Sequence, residues 1–162
     1  QHYHFTKFNT HITSGGLGTM GFAIPAASGV KFACPDKTVW AICGDGGFQM
    51  TFQQLGTIMQ ECQEIKIALF NNGFLGMVRQ WQELFYCKNY ESTPLVNPLF
   101  GKIAEAYGIP HLRIEKPEDV SKGIEKALKH KGTYLLEFVI EQEQNVFPMV
   151  PAGTGLNDTR IE

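Results

Sequence analysis

The sequence has little net charge, no cysteine pairing pattern and no long apolar run. Its 14 basic and 16 acidic residues give a net charge of −2, so there is no basic footprint for nucleic acid. None of the four cysteines has C-x-x-C spacing, so we predict neither a zinc site nor a disulfide framework, and expect a reducing compartment. No apolar run approaches the roughly 18 residues that a membrane-spanning helix needs. We therefore expect a globular cytoplasmic protein without nucleic-acid or membrane partners.

Strand patterns and helix patterns alternate along most of the sequence. Apolar runs rich in β-branched and aromatic residues are typical of strands buried on both faces, and they occur at 38–43, 65–70 and 134–140, with a short candidate at 111–114. Helical patterns fall between them, at 19–32, 51–60, 77–85, 98–107 and 117–130. This alternation predicts an α/β fold with a doubly wound, mostly parallel sheet and helices on both faces.

A length of 162 residues suits one domain. We assign residues 1–145 to that domain and residues 146–162, which carry two prolines three apart followed by glycines, to an extended C-terminal arm of it. The polar stretch 86–97 is predicted to be a mobile loop. The first residue is Gln rather than Met, so we expect a fragment of a larger chain. Import into an organelle is therefore not excluded.

Two polar motifs follow predicted strands. GDGG occupies 44–47 after the first run, and NNG occupies 71–73 after the second, so that Asn72 lies 72 − 45 = 27 positions beyond Asp45. Ligands bind beyond the carboxyl ends of parallel strands. Carboxylate and amide oxygens suit Mg²⁺, and a helix expected to begin near Thr51 would direct N–H groups at an anion. Each motif alone is more often an ordinary turn, but together they favour a site for a diphosphate and a metal ion.

Other segments of the sequence resemble those of a known family. GDG followed by NN at this spacing is similar to the thiamine-diphosphate motif of pyruvate decarboxylase-like enzymes. SGGLGTMG at 14–21, LGMVRQWQ at 75–82 and FPMVP at 147–151 resemble signature segments of acetolactate (acetohydroxyacid) synthase large subunits, in that family's order. The resemblance covers the chain almost end to end and implies the family's C-terminal thiamine-diphosphate-binding domain. It also implies that this fragment lacks the family's N-terminal and middle domains.

The resemblance implies thiamine diphosphate and Mg²⁺ as cofactors, with Asp45, Asn72 and the backbone carbonyl of Phe74 as metal ligands. The carbonyl of Gly18 and the amide of Met20 would meet the aminopyrimidine ring. The Met20 side chain would wedge between the two cofactor rings, although core filling is its ordinary role. The implied cofactor-binding residues are Gly18, Met20, Gly44, Asp45, Gly46, Gly47, Asn72, Gly76 and Met77.

The implied reaction decarboxylates pyruvate and joins its two-carbon remainder to a second 2-oxo acid, pyruvate or 2-oxobutyrate. The products are acetolactate and acetohydroxybutyrate, intermediates of branched-chain amino-acid (valine, leucine, isoleucine) biosynthesis. Trp81, with Met77 and Val78 beside it, would contact the second substrate. An equally ordinary role for Trp81 is to anchor an amphipathic helix.

No catalytic residue is assigned to this chain. The activating Glu of the family belongs to the N-terminal domain of a neighbouring subunit, so we expect a homodimer or tetramer and an inactive isolated fragment. FAD is expected for the full-length enzyme, mostly outside this chain, and a regulatory small subunit is a further candidate partner.

Three alternative hypotheses stay open. The chain is similar enough to its superfamily to belong instead to another thiamine-diphosphate 2-oxo acid decarboxylase or oxidase. The segment 16–21 (GLGTMG) fits G-x-G-x-x-G and would suit a dinucleotide-binding module if a strand preceded it. A non-catalytic interaction domain is the third.

Overall fold

The structure is a computed structural model that describes residues 3–161. By its internal contacts the chain divides into two compact units. The first consists of the chain up to Asn71 together with Asn97–Ile140, and the second of Asn72–Val96 together with Glu141–Glu162. Among the described residues no helix has both the length and the apolar character needed to cross a membrane.

The first unit is built on a parallel sheet. Its strands are β1 (Val39–Gly44), β2 (Ile65–Asn71), β3 (His111–Ile114) and β4 (Tyr134–Val139). Within the described residues they lie in the order β1-β2-β4-β3, and every neighbouring pair is parallel. Each predicted strand is found within a residue or two of its expected bounds, including the short one at 111–114.

Alternating side chains of these strands enter two apolar clusters on opposite faces of the sheet. Ile67 and Leu69 of β2 join one cluster, whereas Ala68 joins the other. Leu135 and Leu136 of β4 divide in the same way. Because both faces are buried, the strands appear in the sequence as nearly continuous apolar runs.

Helices cover both faces. The first cluster receives side chains from α1 (Ala23–Ala33), α2 (Asp45–Thr51), α3 (Gln54–Gln60) and α5 (Phe100–Ala106). The second receives Ala127 of α6 (Val120–Lys129). The predicted doubly wound α/β fold is thereby confirmed.

The helix expected from 51 to 60 is wrong at its start. Helix α2 begins at Asp45, directly after the strand, and α3 follows as a separate helix. Gly44 is extended (φ −82°, ψ 165°) and acts as the N-cap, and an acidic residue in the first turn suits the positive end of the helix dipole. The GDGG motif is thus the strand end and first helical turn, not a loop.

The second unit contains α4 (Gly76–Phe85) and two irregular segments. Residues 73–75 pair with 93–95: the Leu95 N–H donates to the Gly73 carbonyl at 2.8 Å, and the Leu75 N–H to the Thr93 carbonyl at 2.9 Å. Met149 and Arg160 exchange two backbone hydrogen bonds of 2.9 and 2.8 Å, so the tail doubles back. The assignment of 1–145 to one domain with 146–162 as its arm stays a prediction.

Candidate functional site

In the first unit the chemistry gathers at the carboxyl ends of β1 and β2. The two strands run in register to Gly44 and Phe70, so their next residues are Asp45 and Asn71. Asp45 is only 2% exposed. Its Oδ1 accepts the Gly46 N–H at 2.9 Å, and its Oδ2 accepts a hydrogen bond from the side-chain amide of Asn97 at 2.7 Å. A buried carboxylate is therefore held at the edge where parallel sheets bind ligands.

A chain of polar side chains extends from this carboxylate across the sheet. The amide nitrogen of Asn97 also donates to Asn71 Oδ1 at 2.9 Å, and Asn71 Nδ2 donates to Glu137 Oε1 at 2.8 Å. Arg113 then donates to the same Glu137 oxygen at 2.5 Å. Glu137 is 3% exposed, and a buried carboxylate requires such partners. The Asp45, Asn97, Asn71, Glu137 and Arg113 side chains are called the edge network below.

The turn that carries Gly18 and Met20 is fixed to helix α2. Thr51 Oγ1 donates to the Gly21 carbonyl at 2.8 Å. Gly21 has φ +83°, and a Cβ there would lie 3.0 Å from Thr51 Cγ2, so only glycine suits this close approach. A Cβ on Gly47 would lie 3.6 Å from the Gly21 nitrogen. The structure thus packs Gly21, which directly follows the Gly18–Met20 turn, against helix α2 next to the GDGG residues.

The turn itself leaves its residues accessible. The Gly18 N–H donates to the Ser14 carbonyl at 2.7 Å, and the Thr19 N–H to Ser14 Oγ at 2.9 Å. Gly18 has φ +62°, a conformation that glycine adopts without strain. Met20 is 44% exposed, so this side chain is not committed to the core.

In the second unit, Asn72 and the residues after it form a compact turn. Asn72 Oδ1 accepts the Phe74 N–H at 3.1 Å, and Gly73 has φ +68°. A Cβ on Gly76 would lie 2.9 Å from Asn72 Nδ2. The Asn72 side chain is therefore fixed by its own turn and by the glycine that begins α4.

Helix α4 has one exposed side and one buried side. Met77 and Val78 are 53% and 46% exposed, and Trp81 is half-buried against Phe85, with ring centroids 4.9 Å apart. The residues predicted to meet a substrate thus include the exposed side chains of this helix.

Arg79 and Gln80, on the other side of α4, are buried and bind the tail. Arg79 pairs with Glu83 and donates to Asn145 Oδ1, both at 2.5 Å. Gln80 exchanges two hydrogen bonds with the backbone of Val146. Sequence reasoning assigned no role to either residue, because a buried polar side chain has the same appearance in a helical pattern as an exposed one.

Sequence reasoning also left Asn97 unassigned, although it holds the candidate metal ligand. The only signal was the Asn97-Pro98 dipeptide, which is typical of a turn. Asn71 was part of the NN motif, yet its hydrogen bonds to Asn97 and Glu137 were not predicted, since they join residues 26 and 66 positions apart.

The residues present fit a hard cation and an anion. Within the described residues there is no group of three or more His, Cys, Asp or Glu side chains suited to a metal ion. The first unit offers the Asp45 carboxylate, and the second offers the amide and carbonyl oxygens of the Asn72 turn. Mg²⁺ is commonly held by one or two carboxylates plus phosphate oxygens. The donors of each unit, taken separately, are therefore of the kind that suits Mg²⁺ shared with a diphosphate.

The structure disfavours the hypothesis of a dinucleotide-binding module, because the required strand is not found before the G-x-G-x-x-G segment in the described residues. The fingerprint requires a strand directly before the glycines. Residues 10–14, all within the described part of the chain, form no strand, and α1 begins only at Ala23.

Comparison with known proteins agrees with the geometry. Residues 1–138 match the family described as "Thiamine pyrophosphate enzyme, C-terminal TPP binding domain". The chain belongs to this family. Thiamine pyrophosphate is another name for thiamine diphosphate, so the cofactor implied by the resemblance is the one that the family binds.

The chain is also similar to several acetolactate synthases. It is 46% identical to "Acetolactate synthase, mitochondrial" of Schizosaccharomyces pombe over 96% of this chain and 23% of the relative. It is 48% identical to the large subunit of Corynebacterium glutamicum, covering 95% and 26%, and 45% identical to the isozyme 2 large subunit of Escherichia coli, covering 96% and 28%. The chain thus spans about a quarter of the length of these relatives.

Proposed function

We propose that this thiamine-pyrophosphate-binding domain supplies the diphosphate- and Mg²⁺-binding half of the active site of an acetolactate synthase. The observation that carries the proposal is the buried Asp45 carboxylate at the start of α2, in a chain 45 to 48% identical to acetolactate synthases of three organisms. The overall reaction would join a two-carbon unit from pyruvate to pyruvate or 2-oxobutyrate. Acetolactate or acetohydroxybutyrate would then feed branched-chain amino-acid biosynthesis.

Asp45, Asn72 and the Phe74 carbonyl are the proposed Mg²⁺ ligands. In the first unit, support comes from the burial and fixed orientation of Asp45. In the second, it comes from the ordered turn that holds Asn72. The bound cofactor would supply the electron sink for loss of CO₂.

The role of the chain's own residues would be to bind the thiamine diphosphate and to orient it. Gly46 and Gly47 lie in the first turn of α2 and are proposed to face the diphosphate. The Gly47 N–H, as a first-turn group, suits a phosphate, whereas the Gly46 N–H already donates to Asp45 Oδ1. Gly44, Gly76 and Met77 are proposed to line the cofactor with them. Gly18 and Met20 would meet its aminopyrimidine ring.

Trp81, Met77 and Val78 are proposed to contact the second 2-oxo acid. Their support is the exposure of Met77 and Val78 on one side of α4. The preferred acceptor, pyruvate or 2-oxobutyrate, would then depend on the shape of this apolar surface.

The remaining partners would lie outside this chain. We propose an activating Glu from a neighbouring subunit, hence a homodimer or tetramer, and FAD held mostly elsewhere in the full-length enzyme. A regulatory subunit is suggested by the relatives that are named large subunits. For location we propose the cytoplasm, with an organelle as the alternative because one relative is named mitochondrial.

The test uses the full-length enzyme with Asp45→Asn and a control, Asp36→Asn, at an exposed carboxylate. Tryptophan fluorescence should report thiamine diphosphate binding that requires Mg²⁺ in the wild type and the control, and loses that requirement and most of its affinity in Asp45→Asn. Product analysis should give acetolactate from pyruvate. Acetate or acetaldehyde as the main product would instead support the oxidase or decarboxylase hypothesis.

A further inference from the structure

We propose that Asn97 is a positioning residue for the metal-binding carboxylate: its side-chain amide fixes Asp45 in the orientation that binds Mg²⁺. The inference rests on the proposed function, because it takes Asp45 as a Mg²⁺ ligand. It adds a residue from a different part of the chain, 52 positions away, that would not itself touch the metal ion.

The Asn97 amide makes three side-chain hydrogen bonds. Its nitrogen donates to Asp45 Oδ2 at 2.7 Å and to Asn71 Oδ1 at 2.9 Å, and its oxygen accepts from Gln49 Nε2 at 2.9 Å. Two acceptors face the nitrogen and one donor faces the oxygen, so a flipped amide would lose all three hydrogen bonds. The orientation of the amide is therefore determined by its surroundings.

This amide limits the rotation of the Asp45 carboxylate. The χ2 torsion of an aspartate is broad, so a carboxylate without partners samples many planes. The Gly46 N–H holds Oδ1 and the Asn97 amide holds Oδ2, which together fix the carboxylate plane. Mg²⁺ demands near-ideal octahedral geometry, so a preset carboxylate avoids the cost of ordering on binding.

The edge network supports Asn97 through its second acceptor, Asn71. Asn71, at the end of β2, is held by Glu137 on β4, which in turn accepts from Arg113 on β3. The chain leaves the first unit after Asn71 and returns to it at Asn97. The hydrogen bond between Asn97 and Asn71 therefore joins the two points at which the chain leaves and re-enters the first unit. It also fixes the end of β2, from which the chain continues to Asn72.

A simpler role for Asn97 would be to stabilise the turn before Pro98. The two roles differ in what is lost when the amide is removed. A turn residue affects stability alone, whereas a partner that orients a metal ligand changes metal affinity, commonly by about 10- to 100-fold.

The experiment measures the Kd for Mg²⁺ in the full-length enzyme at saturating thiamine diphosphate, together with the melting temperature of the cofactor-free protein. Asn97→Leu removes the amide, and Asn97→Asp keeps its shape but replaces the donor with a carboxylate that repels the Asp45 carboxylate. We expect both to raise the Kd about 10- to 100-fold, with kcat largely restored at saturating Mg²⁺. Gln60→Leu, at an exposed amide of α3, is the matched control and should leave the Kd unchanged.

Gln49→Leu provides a milder second variant. It removes the hydrogen bond to the Asn97 oxygen and a long one, 3.5 Å, to the Asp45 backbone carbonyl, but it leaves in place the hydrogen bonds that Gly46 and Asn97 donate to the Asp45 carboxylate. We expect a smaller rise in Kd, on the order of 3-fold, and this variant decides the matter if the Asn97 variants do not fold. A lowered melting temperature with wild-type Mg²⁺ affinity would overturn the inference.

The two proposals fail differently. If the wild-type enzyme binds thiamine diphosphate without Mg²⁺, or if Asp45→Asn binds as the wild type does, the proposed function is wrong. If Asp45→Asn loses Mg²⁺-dependent binding while the folded Asn97 and Gln49 variants keep it at wild-type affinity, only the positioning role is wrong.

Discussion

Gln80 forms a two-point clasp on the backbone of Val146: its amide oxygen accepts the Val146 N–H at 2.8 Å, and its amide nitrogen donates to the Val146 carbonyl at 3.0 Å. Gln80 is 2% exposed. A side chain thus replaces the strand partner that this part of the tail lacks. Because Gln80 precedes Trp81, the same helix that presents the candidate substrate residues also holds the tail.

Gln80→Leu should release the tail from α4. It removes both hydrogen bonds to the backbone of Val146, a residue that is 48% exposed, so the cost should be that of two ordinary hydrogen bonds, about 0.5–1.5 kcal/mol each. Hydrogen exchange on the full chain should show faster exchange at 145–149 in Gln80→Leu. Gln53→Leu, at an exposed position, is the control, and equal exchange in all variants would refute the clasp.

Gly76→Ala should disturb Asn72. The added Cβ would lie 2.9 Å from Asn72 Nδ2, closer than side chains normally approach, so the amide has to move. If Asn72 binds Mg²⁺, the Kd for the metal should rise about 10-fold or more, by analogy with the loss of a supporting contact.

The control for that substitution is Gly29→Ala. Gly29 lies within α1, and a Cβ there would have nothing within 4 Å. Alanine should therefore stabilise the protein by about 0.5–1 kcal/mol through helix propensity, with no change in metal affinity. Calorimetric Mg²⁺ titrations and denaturant unfolding measure the two effects separately, and an unchanged Kd in Gly76→Ala would count against Asn72 as a ligand.

Cys43 should be inert in the folded protein. Burial, and after it the negative charge of Asp45, raises the pKa of its thiol from 9.0 to about 12. Cys34, Cys62 and Cys87 are exposed. A thiol reagent at pH 8 should therefore modify the three exposed cysteines quickly and Cys43 only after unfolding. Rapid modification of a fourth thiol in folded protein would contradict this burial.

The same raised pKa predicts a dependence of stability on pH. The folded state holds the Cys43 proton more tightly than the unfolded state does, so the stabilisation is complete below pH 9. Above pH 9 the thiol ionises in the unfolded chain first, and the free energy of unfolding should fall as the pH rises towards about 12. Cys43→Ala should show a shallower fall over that range when unfolding is followed in urea.

The sequence predicted the sheet well because burial on both faces leaves a plain apolar signal, as in β2 and β4. It located the GDGG and NN motifs at the correct strand ends. It failed where a residue's role depends on partners remote in sequence: Asn97, Glu137 and Gln80 are polar residues whose hydrogen bonds join separate segments. It also placed the start of α2 too late, because a glycine-rich sequence is rarely helical. Here Gly44 takes the N-cap position, so the helix begins at Asp45.

Lys66 is the clearest exception inside a predicted strand. It is 1% exposed, and its ammonium donates to the carbonyls of His130 and Gly132 at 2.7 and 2.8 Å, with Glu64 Oε1 at 3.1 Å. This one side chain therefore caps the turn that leads into β4. A lysine within IKIALF has no local signal for such a role.

Lys66→Ala should destabilise the protein strongly, by roughly 3 kcal/mol, because two carbonyls lose a charged donor. Lys66→Met keeps much of the volume but leaves the carbonyls unpaired, so it should recover only part of the loss. Glu64→Gln tests the ion pair alone. Glu64 is 44% exposed, and such pairs contribute less than about 1 kcal/mol. Urea unfolding should rank the variants in that order, whereas equal losses in Glu64→Gln and Lys66→Ala would assign the stabilisation to the ion pair rather than to the capped turn.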